Sequence, residues 1–367
     1  MRTPWGNLRD LDLSDHALAE KIIFADKHQL VEGLVVESLF DQIAQKMPST
    51  EDSQVLPLDV ETIIVDTNKT SERWLAFVWA RNKTTGLGRY LLALEQGFVP
   101  YLLEYDPSNG FVATKRENGK SVTAPEALAV LMERLSDQAY KPFFVSESVR
   151  DEMRQKQAFW GFISSYYGGR ISREIVLPRI LINCGIQPYF RRVWNLDRIL
   201  LVNDQLWLLE IKHKFPQELP PKGTWPTLRF GINDGELAVI DRLAECGIRC
   251  LHTILVKPYW SKEIGSTYLL SDLSLREKAA MIAIDLSRKV IEIMRAGRAG
   301  KSGAHTTIDG RSAMSFRLHP ARNFRDIGVL SDSPEDIAKK MAGVMNAMPG
   351  PLVLESHLQA LRSKANK

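Results

Sequence analysis

Two carboxylates and an amine lie within a very apolar part of the sequence. Asp197, Glu210 and Lys212 belong to the segment WNLDRILLVNDQLWLLEIKHKF, residues 194–215. If the Asn-Asp pair at 203–204 forms a two-residue hairpin turn, Asp197 pairs with Glu210 across the two strands. Lys212 lies on the same face as Glu210, because side chains alternate between the faces of a strand. The three side chains are therefore predicted to meet at the end of the hairpin away from the turn.

The apolar surroundings of these charges indicate what chemistry they could do. Leu, Ile, Val and Trp occupy both faces of both strands, as in interior strands covered by helices on each side. Two neighbouring carboxylates in such a place repel each other, which raises a pKa unless a cation lies between them. Oxygen ligands without a His or Cys set favour Mg²⁺ or Mn²⁺. Such an ion polarises a phosphodiester and activates water, while a nearby ammonium group stabilises developing charge.

We therefore predict that Asp197 and Glu210 are metal ligands and that Lys212 is the positioning cation. The competing interpretation is a plain buried ion pair between Asp197 and either Arg198 or Lys212.

The segment after the hairpin predicts further elements of the same core. GINDGELAVIDRLAECGIRCLHTILVKP predicts a helix with Asp234 at its start and Gly247 at its end, followed by a strand from Cys250 to Val256. A helix that crosses back to a further strand is expected of an α/β core.

The pattern of Asp197 followed by Glu210-Ile211-Lys212 resembles the Asp…Glu-X-Lys core of the PD-(D/E)XK nuclease superfamily, to which many restriction, repair, transposon and defence nucleases belong. The resemblance covers about residues 150–270 and implies a restriction-endonuclease-like core, a central mixed sheet flanked by helices. It implies metal-dependent cleavage of DNA, with the main-chain carbonyl of Ile211 as a further ligand, and a homodimer or partner protein. The Gln-X3-Tyr element of one branch does not appear, so no branch is assigned.

The superfamily also places a glutamate on the helix before the hairpin, and the candidate is Glu174. It lies in GGRISREIVLPRILINCG, where Gly185 predicts the end of a helix. Pro178 is tolerated in a first helical turn but bends a helix that already contains Glu174. Glu174 is therefore either a metal ligand or a solvated residue paired with Arg170 or Arg173.

Several further residues are candidate contacts to nucleic acid. Asn195, His213 and Lys214 flank the predicted site, although a strand-end histidine can equally face a neighbouring helix. The others lie in the Gly- and Ser-rich segment RAGRAGKSGAHTTIDGR and are Arg298, Lys301 and Arg311. Flexible basic loops suit contacts to the phosphate backbone, and solvated linkers have the same composition.

The composition is that of an ordinary globular protein with no membrane segment. The chain has 367 residues, 44% of them hydrophobic and 25% charged, and a formal net charge of +4. The N-terminus, MRTPWGNLRDLDL, is not a signal peptide, so we expect a cytoplasmic protein. The three cysteines fit a reducing compartment. Cys246, Cys250 and His252 invite a zinc interpretation, against which stand buried thiols and a core histidine.

The chain divides by pattern into three parts. Residues 1–145 predict an N-terminal α/β or α+β accessory domain, which serves recognition or assembly or is a decayed copy of the core with Asp66 in the place of Asp197. Residues 146–272 are predicted to form the nuclease core that the resemblance implies. Residues 273–367 predict a helical C-terminal region that starts with the long helix LSLREKAAMIAIDLSRKVIEIMRAG and ends in a basic loop and tail.

The sequence is thus predicted to encode a Mg²⁺- or Mn²⁺-dependent DNA endonuclease of a defence or mobile-element system. Two alternatives stay open. One is a nuclease-fold subunit that binds DNA or assembles with a partner but cuts poorly, and the other is a nuclease that cleaves RNA. Target specificity would come from the outer parts of the chain, because catalytic residues hydrolyse any well-placed phosphodiester.

Overall fold

Strands and helices are distributed along the whole chain in the computed structural model, which describes residues 1–47, 55–69, 72–82, 85–220, 227–260, 269–303, 305–307 and 309–363. The polar segment PSTEDSQ, residues 48–54, and the last residues of the basic tail, 364–367, lie outside these ranges. The strands are β1 Arg2–Thr3, β2 Gly6–Asn7, β3 Val55–Leu58, β4 Val60–Asp66, β5 Trp74–Ala80, β6 Val99–Asp106, β7 Gly110–Glu117, β8 Lys120–Ser121, β9 Glu126–Ala127, β10 Val193–Leu196, β11 Arg198–Val202, β12 Gln205–Lys214, β13 Gln217–Glu218, β14 Leu228–Asn233, β15 Ile248–Val256, β16 Ala280–Asp285, β17 Ala299–Lys301, β18 Ser315–Pro320 and β19 Arg325–Val329.

The helices are α1 His16–Phe24, α2 His28–Ala44, α3 Leu87–Leu94, α4 Leu128–Leu135, α5 Glu152–Ala158, α6 Ser164–Tyr167, α7 Leu177–Ile180, α8 Asp234–Glu245, α9 Leu269–Leu273, α10 Arg288–Ala296, α11 Pro334–Met345 and α12 Glu355–Leu361. Turns of π-helix lie between α5 and α6, at Phe159–Ile163, and on either side of α7, at Ser172–Val176 and Leu181–Ile186. The chain is therefore a mixed α/β protein, as predicted.

Two mixed sheets carry most of the strands. The central sheet has the order β3-β11-β12-β15-β16-β19, and the N-terminal sheet has the order β10-β4-β5-β6-β7-β8, with β9 beside β7. A smaller sheet, β13-β14-β18-β17, packs beside the central one. In the central sheet β12 and β15 run parallel and are joined by a crossover that contains α8. Other neighbouring strands of this sheet are antiparallel.

The hairpin of β11 and β12 has the predicted turn and register. Asn203 and Asp204 have φ angles of 47° and 65°, the left-handed values of a type I′ turn. Val202 pairs with Gln205 and Arg198 with Leu209. Continued by one residue, this register sets position 197 against position 210.

Both faces of the hairpin are buried, as predicted. Leu200, Trp207 and Leu209 pack on the side of α2 and α11. Ile199 and Leu208 pack on the side of α8, β14 and α10. Helices and strands therefore exclude water from both sides of the strands that carry the candidate site.

The two sheets do not follow the predicted boundary at residue 145. The strand pair β3 and β11 belongs to the central sheet, and its continuation, β4 and β10, belongs to the N-terminal sheet. Leu58 pairs with Ile199 and Thr62 with Leu196, so residues 59–61 face residues 197–198. This extra residue is a β-bulge, which bends the ribbon from one sheet into the other.

The C-terminal region is not the purely helical part that the pattern predicts. The expected long helix after residue 272 is a strand followed by a helix, because Ala280–Asp285 forms β16 and Arg288–Ala296 forms α10. A short apolar run such as AMIAID fits a buried helix or a buried strand equally well by pattern. Here β16 lies between β15 and β19 in the interior of the central sheet, and this tertiary position decides its conformation.

Candidate active site

Asp197 lies at the bend between β10 and β11, where neither strand includes it. Its Oδ2 accepts a hydrogen bond of 2.7 Å from the main-chain N–H of Ile211 on β12. The hairpin ladder ends at Leu209, so this edge of β12 is open beside Asp197. The carbonyl of Ile211 points to the same edge as its N–H, because both groups of one strand residue share an edge.

Glu210 and Lys212 meet on one face of β12. The ammonium group of Lys212 donates a hydrogen bond to Oε1 of Glu210. Glu210 is buried, and the side chain of Lys212 is 24% exposed. The structure therefore brings together Asp197, Glu210 and Lys212, as the sequence predicts.

Glu236 is a fourth member of this site that the sequence analysis missed. It lies in the first turn of α8, and its Oε1 is 3.8 Å from the Nζ of Lys212. That oxygen is buried and accepts no hydrogen bond from any described residue. A glutamate in the first turn of a helix commonly interacts with the helix dipole. Its position in the sequence therefore does not identify it as a residue of the active site. The crossover brings this turn to the end of β12.

Glu37 on α2 supplies a carboxylate from the opposite side of the sheet. Its Oε2 is 3.8 Å from Nη1 of Arg198, whose guanidinium also binds Asp41 at 2.7 and 2.8 Å. Burial and repulsion from Asp197 raise the pKa of Glu37 to about 7. Glu37 is therefore a carboxylate on a helix before the hairpin that is electrostatically linked to Asp197.

Glu174 forms an ion pair with Arg170, which is the predicted alternative to a role as metal ligand. Its two carboxylate oxygens accept hydrogen bonds of 3.0 and 3.1 Å from Nη1 of Arg170, four residues earlier. No contact joins it to Asp197 or Glu210 within the described ranges. The helix around it continues through Pro178 with π turns on both sides of α7. The prediction that Glu174 is a metal ligand is therefore not supported by its position.

Asp197 and Glu210 resist ionisation. Burial raises the pKa of Asp197, against the opposing effects of Lys212 and of the hydrogen bond from Ile211. Burial and the proximity of Asp197 raise the pKa of Glu210 well above its usual range, although Lys212 opposes this. Burial lowers the pKa of Lys212, but Glu210, Glu236 and Asp197 outweigh it and raise that pKa overall. The lysine therefore stays protonated, and the carboxylates favour an additional cation.

A cavity of about 80 Å³ opens beside these groups. Glu210, Lys212 and Glu236 line it together with Asn195 and Trp194. The volume corresponds to a few water molecules, at about 30 Å³ for each in the liquid. It is large enough for an ion with part of its hydration shell.

The donor set fits a hard divalent cation in part. No group of three or more His, Cys, Asp or Glu side chains among the described residues is arranged to hold a metal. Mg²⁺ commonly binds through one or two carboxylates and completes its octahedron with water and substrate phosphate. Asp197, Glu210 and the carbonyl of Ile211 can supply such a set. The buried, unpartnered Oε1 of Glu236 adds a further acceptor nearby.

The predicted nucleic-acid contacts divide into accessible and buried residues. Asn195 is exposed and lines the cavity. The side chain of His213 is 7% exposed, and its Nε2 lies 3.3 Å from Oδ2 of Asp272 on α9, so it faces a helix and is not a phosphate contact. Burial and Lys257 lower the pKa of His213 well below its usual value. Lys214 donates to the carbonyl of Gly231 at 2.6 Å and is directed inward.

The basic segment near residue 300 is more ordered than a linker. Arg298, Lys301 and Arg311 are exposed, as a contact to a phosphate backbone requires. Lys301 ends β17, which pairs with β18, and the guanidinium of Arg311 lies 4.7 Å from the ring centroid of Phe144. The three cysteines, Cys184, Cys246 and Cys250, are buried free thiols.

Comparison of the chain with models of known protein families, with curated proteins and with solved structures finds no match. Among the described residues, no helix combines the length and apolar character needed to cross a membrane.

Proposed function

We propose that this protein is a Mg²⁺- or Mn²⁺-dependent nuclease that cleaves phosphodiester bonds within DNA. The observation that carries the proposal is the convergence of Asp197, Glu210 and Lys212 at the open edge of β12, with carboxylates that favour a cation. A mixed sheet with helices on both faces and a helical crossover after β12 support a restriction-endonuclease-like core. Glu37 replaces Glu174 as the candidate for the glutamate on a helix before the hairpin, and its link to the site is electrostatic.

The residues of the site have distinct tasks in this proposal. Asp197, Glu210 and the carbonyl of Ile211 would hold the cation, with Glu236 beside them. When bound, a divalent ion lowers the pKa of coordinated water and polarises a phosphodiester. The hydrogen bond from Ile211 fixes the orientation of the Asp197 carboxylate before substrate arrives.

Lys212 has the task of stabilising charge on the substrate. Its ammonium is 3.8 Å from Glu236 and hydrogen-bonded to Glu210. A cation at the carboxylates weakens that attraction and leaves the ammonium available to a non-bridging phosphate oxygen or to the attacking water. The raised pKa of Lys212 keeps it a donor, so it does not serve as the general base.

The test is cleavage by purified protein of supercoiled plasmid, linear duplex, single-stranded DNA and RNA, with EDTA, Mg²⁺ or Mn²⁺. We expect metal-dependent nicking or linearisation of closed circular DNA, which identifies internal cleavage. Lys212→Met should abolish it, while Lys69→Met, a lysine hydrogen-bonded to the carbonyl of Leu135, should not. Cleavage in EDTA, or full activity of Lys212→Met, contradicts the proposal. Cleavage of RNA alone would change the substrate and keep the chemistry.

A nuclease-fold subunit that binds DNA without cutting it is the second candidate. The observation that favours it is the ion pair between Lys212 and Glu210, which already neutralises one carboxylate. Tight, metal-independent binding of DNA with no cleavage of any of the four substrates would select this candidate.

A further inference from the structure

A second cavity, of about 440 Å³, lies at the other edge of the central sheet. Ile284 on β16, Ile293 on α10 and Arg325 on β19 line it. Its volume is in the range of roughly 300–1,000 Å³ that is typical of small-molecule sites. Ile284 pairs with His252, which pairs with Glu210, so the cavity begins about 10 Å from Glu210 at about 4.8 Å per strand. It is distinct from the candidate active site.

Positive charge in this cavity is not balanced by its own lining. Arg322 is exposed and forms no ion pair with a described residue, and Arg325 donates only to the main-chain carbonyl of Gly350. The carboxylate in the lining, Asp285, is already paired with Arg249 at 2.5 Å. Two guanidinium groups therefore remain available to an anion. Arginine binds phosphate through two parallel hydrogen bonds, which makes it the usual residue for this task.

Apolar side chains form another wall of the same cavity. Ile293, Met348 and Leu352 are 56%, 60% and 50% exposed, and all three line the cavity. Large apolar residues that gather at one exposed place commonly mark a binding site. A simple inorganic anion would leave this wall in water, whereas a ligand with a flat apolar body would cover it.

The lining also offers a hydrogen-bond acceptor. One carboxylate oxygen of Asp285, Oδ1, is buried and has no donor among the described residues. The buried His319 stays neutral, because burial and Arg229 lower its pKa to about 4. The cavity thus combines two cationic groups, an apolar wall and an acceptor that lacks a donor.

We propose that this cavity binds a nucleotide, with its phosphate at Arg322 and Arg325 and its base against Ile293, Met348 and Leu352. An exocyclic amino group, which adenine, guanine and cytosine carry, would donate to Asp285. The nucleotide is either a free mononucleotide or the terminal nucleotide of a strand, since both present the same phosphate and base. This proposal does not depend on the proposed nuclease activity.

The test is isothermal titration of the full-length protein with AMP, GMP, CMP, UMP and inorganic phosphate, in EDTA so that the candidate metal site is not involved. We expect saturable binding of the amino-bearing nucleotides, with UMP and phosphate at least tenfold weaker. Arg322→Ala should weaken binding about tenfold or more, and Ile293→Glu should do the same by placing negative charge on the apolar wall. Lys289→Ala removes an exposed charge of α10 that does not line the cavity and should change nothing.

A 5′-phosphorylated oligonucleotide distinguishes the two sources of the ligand. Competition with AMP that Arg322→Ala abolishes assigns the site to strand ends as well, and binding of AMP without such competition assigns it to free nucleotides. Absence of binding to any nucleotide at millimolar concentration overturns the proposal. Equal affinity for inorganic phosphate and AMP, or affinity that neither variant changes in a normally folded protein, overturns it too.

Discussion

The N-terminal sheet and the central sheet have the same order of strands and helices, but they differ in how the charges of their acidic residues are balanced. β4, β5, α3, β6 and β7 follow one another as β11, β12, α8, β15 and β16 do, with β13 and β14 inserted after β12 and α9 inserted after β15. In both series the first two strands are antiparallel, the second and third are parallel, and the fourth is antiparallel to the third. Each first strand follows directly on an aspartate at the bend of the ribbon, Asp59 or Asp197.

The carboxylates of the N-terminal sheet have arginine partners. Arg81 contacts Glu61 and lies 3.3 Å from Asp59, which Arg173 also binds at 3.0 Å. Glu61 is buried, and the side chain of Arg81 is 9% exposed. Asp59 and Glu61 are therefore each matched by a guanidinium.

The central sheet leaves its carboxylates short of positive charge. Asp197, Glu210 and Glu236 share Lys212, which forms ion pairs with the two glutamates. The same scaffold thus balances the acidic residues at the bend with arginines in one sheet and with a single lysine in the other. It also corrects the predicted counterpart of Asp197. Asp66 lies at the turn end of β4, paired with Arg73 and Arg192, and Asp59 holds the equivalent position.

The largest expected effect is on the proposed cleavage activity, when the aspartate at the bend of either sheet is replaced. Asp197→Asn should reduce metal-dependent cleavage about 10³-fold, because loss of a ligand removes several kcal/mol of transition-state stabilisation. Asp59→Asn, at the matching bend of the other sheet, should leave the rate within about twofold. The measurement is the single-turnover rate of plasmid linearisation at saturating Mn²⁺. Equal losses in both variants would mean that the bend, and not the carboxylate, matters.

The second effect is on stability, and here the larger loss is expected in the N-terminal sheet. Glu61→Gln leaves the buried guanidinium of Arg81 with weaker compensation and should cost about 3–5 kcal/mol, as loss of one partner of a buried ion pair does. Glu210→Gln should cost much less in metal-free buffer, because burial and repulsion from Asp197 raise the pKa of Glu210 well above its usual range, although Lys212 opposes this. The free energy of unfolding in urea measures both. A larger loss for Glu210→Gln would contradict the unequal charge balance of the two sheets.

The third effect is on how stability depends on pH. Because the pKa of Glu37 is raised to about 7 from 4.5, its contribution to stability is present at low pH and is lost as pH rises from about 4.5 to 7. Glu37→Gln should therefore gain stability relative to the wild type between pH 5 and pH 8, by up to about 3 kcal/mol. The difference between the two proteins is the useful quantity, because buried His213 and His252 have lowered pKa values and change stability in the opposite sense.

Urea unfolding of both proteins at several pH values gives this difference directly. The matched control is Glu32→Gln, a buried glutamate of the same helix whose oxygen accepts from the N–H of Leu269. A difference between Glu37→Gln and wild type that does not vary with pH would contradict the electrostatic link between Glu37 and Asp197.

The parts of this site that the sequence predicts are those fixed by local geometry. The Asn203-Asp204 turn sets the register of the hairpin, and the register determines which residue faces Glu210. Glu37 and Glu236 escaped prediction because they come from helices about 160 residues before and 40 residues after Asp197, and only the packing of those helices on the sheet brings them close. No short-range pattern encodes that packing.

The strand order and the conformation of Ala280–Asp285 were also not predictable from local patterns. The order of strands in each sheet depends on β3 and β10, which are short and cross between the two sheets at a bulge. A pattern of apolar residues predicts that such strands exist but not which neighbour each one selects. The helix expected over Ala280–Asp285 failed for a related reason, because its place between two strands overrides a composition that suits either conformation.

The smallest expected effect concerns which helical glutamate acts on the site, Glu174 or Glu37. Glu174→Gln removes a partly exposed ion pair with Arg170 and should change the free energy of unfolding by less than about 1 kcal/mol. Cleavage should stay at the wild-type rate, whereas Glu37→Gln should lower it or shift its pH profile, because Glu37 and Asp197 influence each other's ionisation. Parallel rate profiles from pH 6 to pH 9 make the comparison. A large loss of activity in Glu174→Gln with a normal profile in Glu37→Gln would return the helical role to Glu174 and would require the helix around Pro178 to move toward the bend at Asp197.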